Sequence, residues 1–359
     1  MDEQMAAHSI GAVEPHRLAP RVLAVIPGDG VGASMIFARR QVESLAAAGV
    51  QVRMFYLTSR TSPFDVLRGC RKLRREIREF RPDLIHAHYG TMTSFLCALF
   101  TDVPLVITFR GSDLTAAADV SHLRNGLAQL LSQISCLRAE KIICVSRRLR
   151  DRLWWSRSKA VVLPSGVDLQ LFQPRSKQEA RSLLGWAEQE RIFLFNVGKQ
   201  PRTKALNLVR AAVHMVQEKL GPVRLVVMRG NVSPEQMPVY LNAADCVVLA
   251  SYSEGSPNIV KEALATNLPV VAVDVGDVAE RLSGVYPSKI VARDPKQIAA
   301  GLMEILTLNQ RSNGRETIQE CSSTRVAAQI VSVYKEVLLS QRARAQAEAM
   351  QTMQHSEHS

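Results

Sequence analysis

The stretch SYSEGSPNIVKEALATNLPVVAVDVGD, residues 251–277, carries more specific chemistry than any other part of the chain. Just before it, DCVVLA (245–250) is a short apolar run of the kind that forms a buried parallel strand. The run stops at a polar turn, Ser253-Glu254-Gly255-Ser256. Pro257 then opens a helical pattern over 258–265, a position that suits its fixed φ and missing N–H. A second apolar strand follows over 268–273. Glu254 sits in the turn, and Glu262 lies about two helical turns into the helix, facing back over the same end.

Such a unit suits a phosphorylated sugar. The turn and the first helical residues expose backbone N–H groups without partners inside the helix, and the dipole there favours anions. A diphosphate can rest on that end. Glu254 would then accept from hexose hydroxyls and Glu262 from a ribose.

Glu254-(seven residues)-Glu262, with its Pro-Asn turn and the strand-Gly pattern that follows, resembles the donor-site motif of the retaining GT-B glycosyltransferases. That family includes bacterial polysaccharide, lipopolysaccharide and phosphatidylinositol mannosyltransferases. Two glutamates at this spacing also occur on ordinary solvated helices; it is the surrounding pattern that sets this pair apart. The resemblance covers roughly residues 21–338. It implies an α/β fold of GT-B architecture, with two doubly wound parallel-sheet (Rossmann-like) domains facing across a cleft. It also implies that Gly255, Ser256, Pro257, Asn258, Ile259 and Glu262 hold the donor, with Glu254 in a catalytic role.

A chain of 359 residues fits two domains. The 47% hydrophobic and 22% charged composition is that of a globular protein. No apolar run approaches membrane-spanning length, and the first twenty residues lack the apolar block of a secretory signal. The six cysteines are scattered without a C-x-x-C pair, so neither a metal site nor a disulfide framework is expected, and a reduced, cytoplasmic setting fits. The net charge of +12 is lopsided: residues 1–165 hold 23 Lys and Arg against 14 Asp and Glu. That asymmetry points to an anionic surface or partner on the first lobe.

In the first half, an apolar run over 21–26 meets PGDGVGAS, and a helix follows from about Met35 to Ala48. Gly28-x-Gly30-x-x-Ala33 mimics a dinucleotide fingerprint. The second strand, 50–57, ends in Tyr56-Leu57-Thr58 with no acid to hold a ribose, which argues against NAD. By position in the resembled family, Gly28, Asp29 and Gly30 face the donor diphosphate and the acceptor. Residues 67–82 place Leu67, Cys70, Leu73, Ile77 and Phe80 at helical spacing, with Arg and Lys elsewhere. The basic face is either simply solvated or rests on anionic lipid. Nothing resembles a nucleic-acid module.

Three further strands, 83–87, 104–109 and 141–145, deliver polar residues at their carboxyl ends, where ligands bind in open α/β sheets. His86 is read as a core residue facing away from His88, and His88 as the cleft candidate. Arg110 and Asp113 follow the second of these strands in TFRGSD. Where many members of the resembled family carry a histidine, this chain has Arg110, which cannot act as a base but can bind phosphate or carboxylate. Trp154 and Trp155 stand among arginines, as one buried and one exposed ring or as a membrane-interface patch.

Residues 161–174, VVLPSGVDLQLFQP, resemble the family's interdomain linker, with Ser165 in place of Asn. The resulting division is a flexible tail over 1–20, an acceptor-side domain over 21–165 and a donor domain over 166–322. A helix over 323–345 crosses back to the first domain, and 346–359 are a disordered tail. Strand-helix alternation in the second half implies another parallel sheet. After its first strand, the resemblance makes Lys199 and Lys204 the cations that grip the diphosphate, with Arg202 between them. Arg229, at the end of the next strand, falls at the family's base pocket.

The expected activity is a retaining transfer from a nucleotide-sugar to a glycan or lipid-linked acceptor in bacterial surface polysaccharide synthesis. The protein is placed in the cytoplasm, with a peripheral position at the inner face of the membrane as a further option. No D-x-D pattern stands where a metal would be needed, so no metal and no cofactor beyond the nucleotide-sugar co-substrate are expected. The alternative is a non-catalytic nucleotide-sugar-binding protein of the same fold.

Overall fold

A computed structural model describes residues 19–32, 34–58, 62–115, 120–198 and 203–356. Lys199 and Arg202 lie outside the described residues, as does most of the expected N-terminal tail.

The first lobe is a six-stranded sheet of β1 (Arg21–Pro27), β2 (Gln51–Leu57), β3 (Leu84–His88), β4 (Leu105–Phe109), β5 (Lys141–Cys144) and β6 (Ala160–Val162). Their order is β2-β1-β3-β4-β5-β6, all parallel. The inner strands are buried along nearly their whole length, which is why they read as unbroken apolar runs; edge strand β2 leaves Gln51, Arg53 and Met54 exposed. The second lobe is formed by β7 (Ile192–Asn196), β8 (Arg224–Met228), β9 (Cys246–Leu249), β10 (Val270–Val273) and β11 (Lys289–Val291). Their order is β11-β10-β9-β7-β8, again all parallel.

In each sheet the chain runs outward from its first strand and then restarts on that strand's other side. This makes a switch point between β1 and β3, and another between β7 and β9. Loops diverge at such points and leave a crevice at the carboxyl ends of the strands.

The helix Ser323–Ser356 leaves the second lobe and packs Val326, Ile330, Tyr334 and Val337 against Val22, Leu84 and Val106 of the first sheet. The expected disordered tail over 346–359 is instead helical as far as Ser356, because the chain continues without a helix breaker. Among the described residues no helix is long and apolar enough to cross a membrane. All six cysteines are buried free thiols.

His86 and His88 lie on the same side of β3, not opposite sides, because residues two apart on a strand share a face; their rings are 3.9 Å apart. His86 is bonded to the Tyr334 hydroxyl (2.6 Å) and the Thr108 hydroxyl (2.6 Å). Burial, helped by the Arg110 charge, lowers it from 6.5 to about 3. Burial, His86 and Arg110 likewise lower His88. Both are therefore held neutral, and their contribution to stability is complete above 6.5 and is lost as the pH falls below it. We expect about 1.4 kcal/mol of stability to be lost per pH unit per histidine on acidification below 6.5. Urea midpoints at neutral and mildly acidic pH measure this slope, and His86→Gln should reduce it. An undiminished slope in that variant contradicts the account.

Candidate active site

At the switch point of the second sheet two loops meet. Lys204 follows β7, Glu254 follows β9, and the Lys204 ammonium donates to the Glu254 carboxylate. Both side chains keep partial access to the cleft, at 24% and 16% exposure. The helix Asn258–Ala265 spans the residues its sequence pattern gives, with Pro257 as its extended N-cap rather than its first helical residue. Asn258 and Ile259 thus provide its leading N–H groups, which have no partner one turn back.

Asn258, Ile259 and Glu262 line a cavity of about 230 Å³. Asn196 at the end of β7 with Gly198 just after it, and Met228 at the end of β8 with Gly230 just after it, add to its second-lobe wall. Ile36 and Arg40 of the first lobe's helix Ile36–Ala47 close it from across the cleft. A neighbouring cavity of about 330 Å³ shares Arg40, Asn258 and Glu262. The Asn258 side-chain oxygen is buried without a partner, as is expected of a group built to meet a ligand donor. Burial pushes the Glu262 carboxyl up, against the pull of Arg40 and Lys261. Arg229 is exposed and does not line this cavity. Its flanking residues Met228 and Gly230 do.

Ser256 is also placed differently from expectation. Its hydroxyl donates to Asp277 (2.9 Å) and accepts from Lys261 (2.8 Å), beneath the turn rather than in the cleft. Lys261 is fully buried. Burial lowers its ammonium, with Asp277 opposing, and Arg281 also pairs with Asp277 (3.3 Å). The charged cluster fastens the 251–257 turn to the body of the lobe. Sequence reasoning missed Lys261, although its position among Ile259, Val260, Ala263 and Leu264 marks a helix buried on all sides.

The two lobes touch at Gly255. A Cβ added there would lie 1.8 Å from the Arg110 carbonyl oxygen, so only glycine permits this approach. Around it, Arg148 donates to the Asp274 carbonyl (3.0 Å) and carboxylate (2.5 Å), and the hydroxyls of Ser253 and Thr115 are 3.4 Å apart.

The first-lobe candidates are turned inward. The Arg110 guanidinium donates to Gln41, to Ser165 of the linker (3.2 Å) and to His88 Nδ1 (3.1 Å), over the Phe37 ring. Burial lowers it to about 10, with Asp113 opposing. An arginine committed to these partners joins the cleft floor to the linker and is not free for phosphate or carboxylate. His88, fully buried beside it, keeps an unpartnered Nε2 but no solvent access. Asp113 accepts from the backbone N–H groups of Gly90 (3.1 Å), Arg110 (2.9 Å) and Gly111 (2.8 Å), so its carboxylate builds the turn and is not free to hold an acceptor.

Gly28 and Gly30 have φ of +106° and +76° at the carboxyl end of β1. Asp29 is exposed and accepts from the Val31 N–H (3.1 Å), while Arg39 donates to the Gly30 carbonyl (2.7 Å). The loop is shaped by these bonds and lies over Tyr56, where a Cβ on Gly30 would clash.

Two family models match the chain in succession: Glycosyltransferase Family 4 over residues 33–171 and Glycosyl transferases group 1 over residues 180–308. The chain belongs to the group 1 glycosyltransferases. It is 32% identical over 249 residues to the TuaC glycosyltransferase of Bacillus subtilis (strain 168), named for teichuronic acid biosynthesis, covering 64% of this chain and 62% of that protein. It is 29% identical over 282 residues to the D-inositol 3-phosphate glycosyltransferase of Mycobacterium marinum, covering 65% of this chain and 57% of that one. The match thus spans about six tenths of these curated relatives. Among solved structures, sucrose-phosphate synthase from Thermosynechococcus elongatus superposes with a TM-score of 0.74 at 19% identity, covering 89% of this chain and 100% of that one. Anabaena Alr3699/HepE, solved with UDP and glucose, gives 0.68 at 15%, covering 88% and 100%. The group 1 glycosyltransferase thus has the GT-B architecture its sequence implied.

Proposed function

We propose that this group 1 glycosyltransferase moves a sugar from a nucleotide-sugar donor to a glycan or lipid-linked acceptor, with retention at the anomeric carbon and without a metal. The observation that carries the reading is the Lys204–Glu254 pair beside the cavity that Asn258, Ile259 and Glu262 share with Arg40. Nucleoside and ribose fill that cavity, with Glu262 accepting from a ribose hydroxyl. The diphosphate lies between Lys204 and the leading N–H groups of Asn258 and Ile259, and Glu254 accepts from the sugar. The sugar C1–O bond to phosphate breaks as the acceptor oxygen bonds to C1 from the same face. The acceptor proton passes to the leaving phosphate oxygen, so no protein base is required, and a buried Arg110 in place of a histidine is compatible with transfer. Complementary charge at the leaving diphosphate strengthens most in the transition state.

A teichuronic-acid relative supports a surface-polysaccharide acceptor, and a structural neighbour solved with UDP supports a nucleotide donor. The cytoplasmic face of a membrane is the corresponding workplace. The test is a thermal-shift panel of UDP, GDP, ADP and their sugar conjugates, with and without chelator. One nucleotide should stabilise the protein irrespective of chelator, and Glu262→Ala should weaken its binding by about ten- to a hundredfold, the loss of a charge-assisted hydrogen bond. Equal binding in the variant would remove Glu262 from the donor site. A chelator-sensitive response would remove metal independence.

A further inference from the structure

The helix His122–Arg138 is mounted with its apolar side outward. Leu123, Leu127, Leu130, Ile134 and Leu137 are 89%, 56%, 40%, 37% and 59% exposed. Their spacing of four and three residues forms one stripe about 21 Å long. Apart from Cys136, which joins the core, the buried residues of the inward side are polar. Ser132 donates to the Asp113 carbonyl (2.7 Å), Ser135 accepts from Ser94 (3.0 Å), and Gln133 donates to the Arg152 carbonyl (2.9 Å). These hydrogen bonds and Cys136 hold the helix to its lobe, and the exposed stripe takes no part in them.

The surroundings extend the same surface. Leu99, 60% exposed, belongs to the helix Thr91–Phe100, which packs alongside. Trp154 and Trp155, 57% and 37% exposed, are fixed beside the stripe by bonds from the Trp154 N–H (3.0 Å) and the Trp155 indole N–H (2.8 Å) to Gln133. The helix carries Arg124 and Arg138 and no acid, and exposed Arg152 and Arg157 flank the tryptophans. Leucines ringed by tryptophan and arginine match the depth profile of an anionic bilayer surface: apolar chains, interface, then phosphate. A second copy fits less well, because pairing two such helices in either direction sets arginine against arginine without an acid on either helix.

We propose that this stripe is the surface by which the first lobe docks on an anionic lipid bilayer, the leucines entering the acyl boundary and the arginines meeting lipid phosphates. The proposal deepens the reading above, resting on its membrane-side acceptor, and names the contact.

The test uses the full chain without donor or acceptor. Sedimentation with phosphatidylcholine vesicles containing phosphatidylglycerol should carry the protein down, and pure phosphatidylcholine should do so weakly. The triple variant Leu127→Gln, Leu130→Gln, Ile134→Gln should bind about tenfold or more weakly, since each leucine contributes through burial of its apolar surface. Leu183→Gln, at a 75% exposed site on the second lobe, should bind as the parent does. Tryptophan emission should be quenched by brominated lipid in the parent. Nucleotide-induced thermal shift on the same samples reports the donor site separately and should persist in the triple variant. Undiminished vesicle binding by the triple variant, absence of binding by the parent, or unquenched tryptophans would each overturn the proposal. So would a parent dimer that the triple variant converts to monomer, since the stripe would then join two copies of the chain.

Discussion

Replacing Lys204 with alanine is expected to lower turnover by about 10²–10³-fold, the scale of losing one preorganised charge donor at a developing anion. The ammonium pairs with Glu254 across the β7–β9 switch point, and its partial exposure of 24% leaves it facing the cleft. Its removal takes away a cation that the proposed mechanism sets on the leaving diphosphate and also unpairs Glu254. Glu254→Gln separates the two effects. If Lys204 served only to balance Glu254, the neutral glutamine would make its loss nearly silent. If it stabilises the diphosphate, the Lys204→Ala deficit persists in the glutamine background. Release of nucleoside diphosphate from the donor measures both. Turnover in Lys204→Ala within about threefold of the parent would contradict the assignment, since so small a change corresponds to well under 1 kcal/mol.

The second large effect is expected at Gly255. Here the backbones of the two lobes approach so closely that a methyl group would fall 1.8 Å from the Arg110 carbonyl oxygen. Gly276, with φ of +60°, supports the approach from behind, where a Cβ would lie 2.5 Å from the Gly255 carbonyl oxygen. Gly255→Ala should leave each lobe folded, because the apolar clusters of the two sheets are separate. It should hold the lobes apart and lower turnover by about 10²-fold, through misplacement of donor and acceptor by an ångström or more. Small-angle scattering should show a larger radius of gyration than the parent's under the same conditions. A variant as compact and as active as the parent would show that the Gly255 contact does not control closure.

These two sites illustrate different degrees of legibility. Glu254, Glu262 and the helix between them could be read from 251–277, because parallel strands buried on both faces appear as unbroken apolar runs and the polar turn must lie at a strand's carboxyl end. The pairing of Lys204 with Glu254 joins residues fifty positions apart. The sequence placed each after a strand, but the strand order β9-β7 brought the two loops together.

The first lobe was less legible. Arg110 stood out as a departure from a histidine pattern and was expected to meet an anion. Its real partners, Gln41, His88 and Ser165, come from a helix, a neighbouring strand and the linker. Asp113 read as a cleft carboxylate, yet three backbone N–H groups consume it. Ser256 read as a donor contact, yet Lys261 and Asp277 bind it from below. A polar side chain after a strand shows where it is anchored; whether it faces ligand or the turn beneath is settled by the hydrogen bonds available around it.

What the sequence by itself determined was the two parallel α/β lobes, which follow from local periodicity and turn chemistry; the linker near Ser165 and the Glu254–Glu262 motif were read by resemblance to a family. The tertiary structure decided the direction of side chains and faces. Periodicity places Leu123, Leu127, Leu130, Ile134 and Leu137 on one stripe, but the hydrogen bonds of Ser132, Gln133 and Ser135 turn that stripe toward solvent. The closure of the cleft at Gly255 was likewise invisible, since a steric limit arises only when two distant backbones meet.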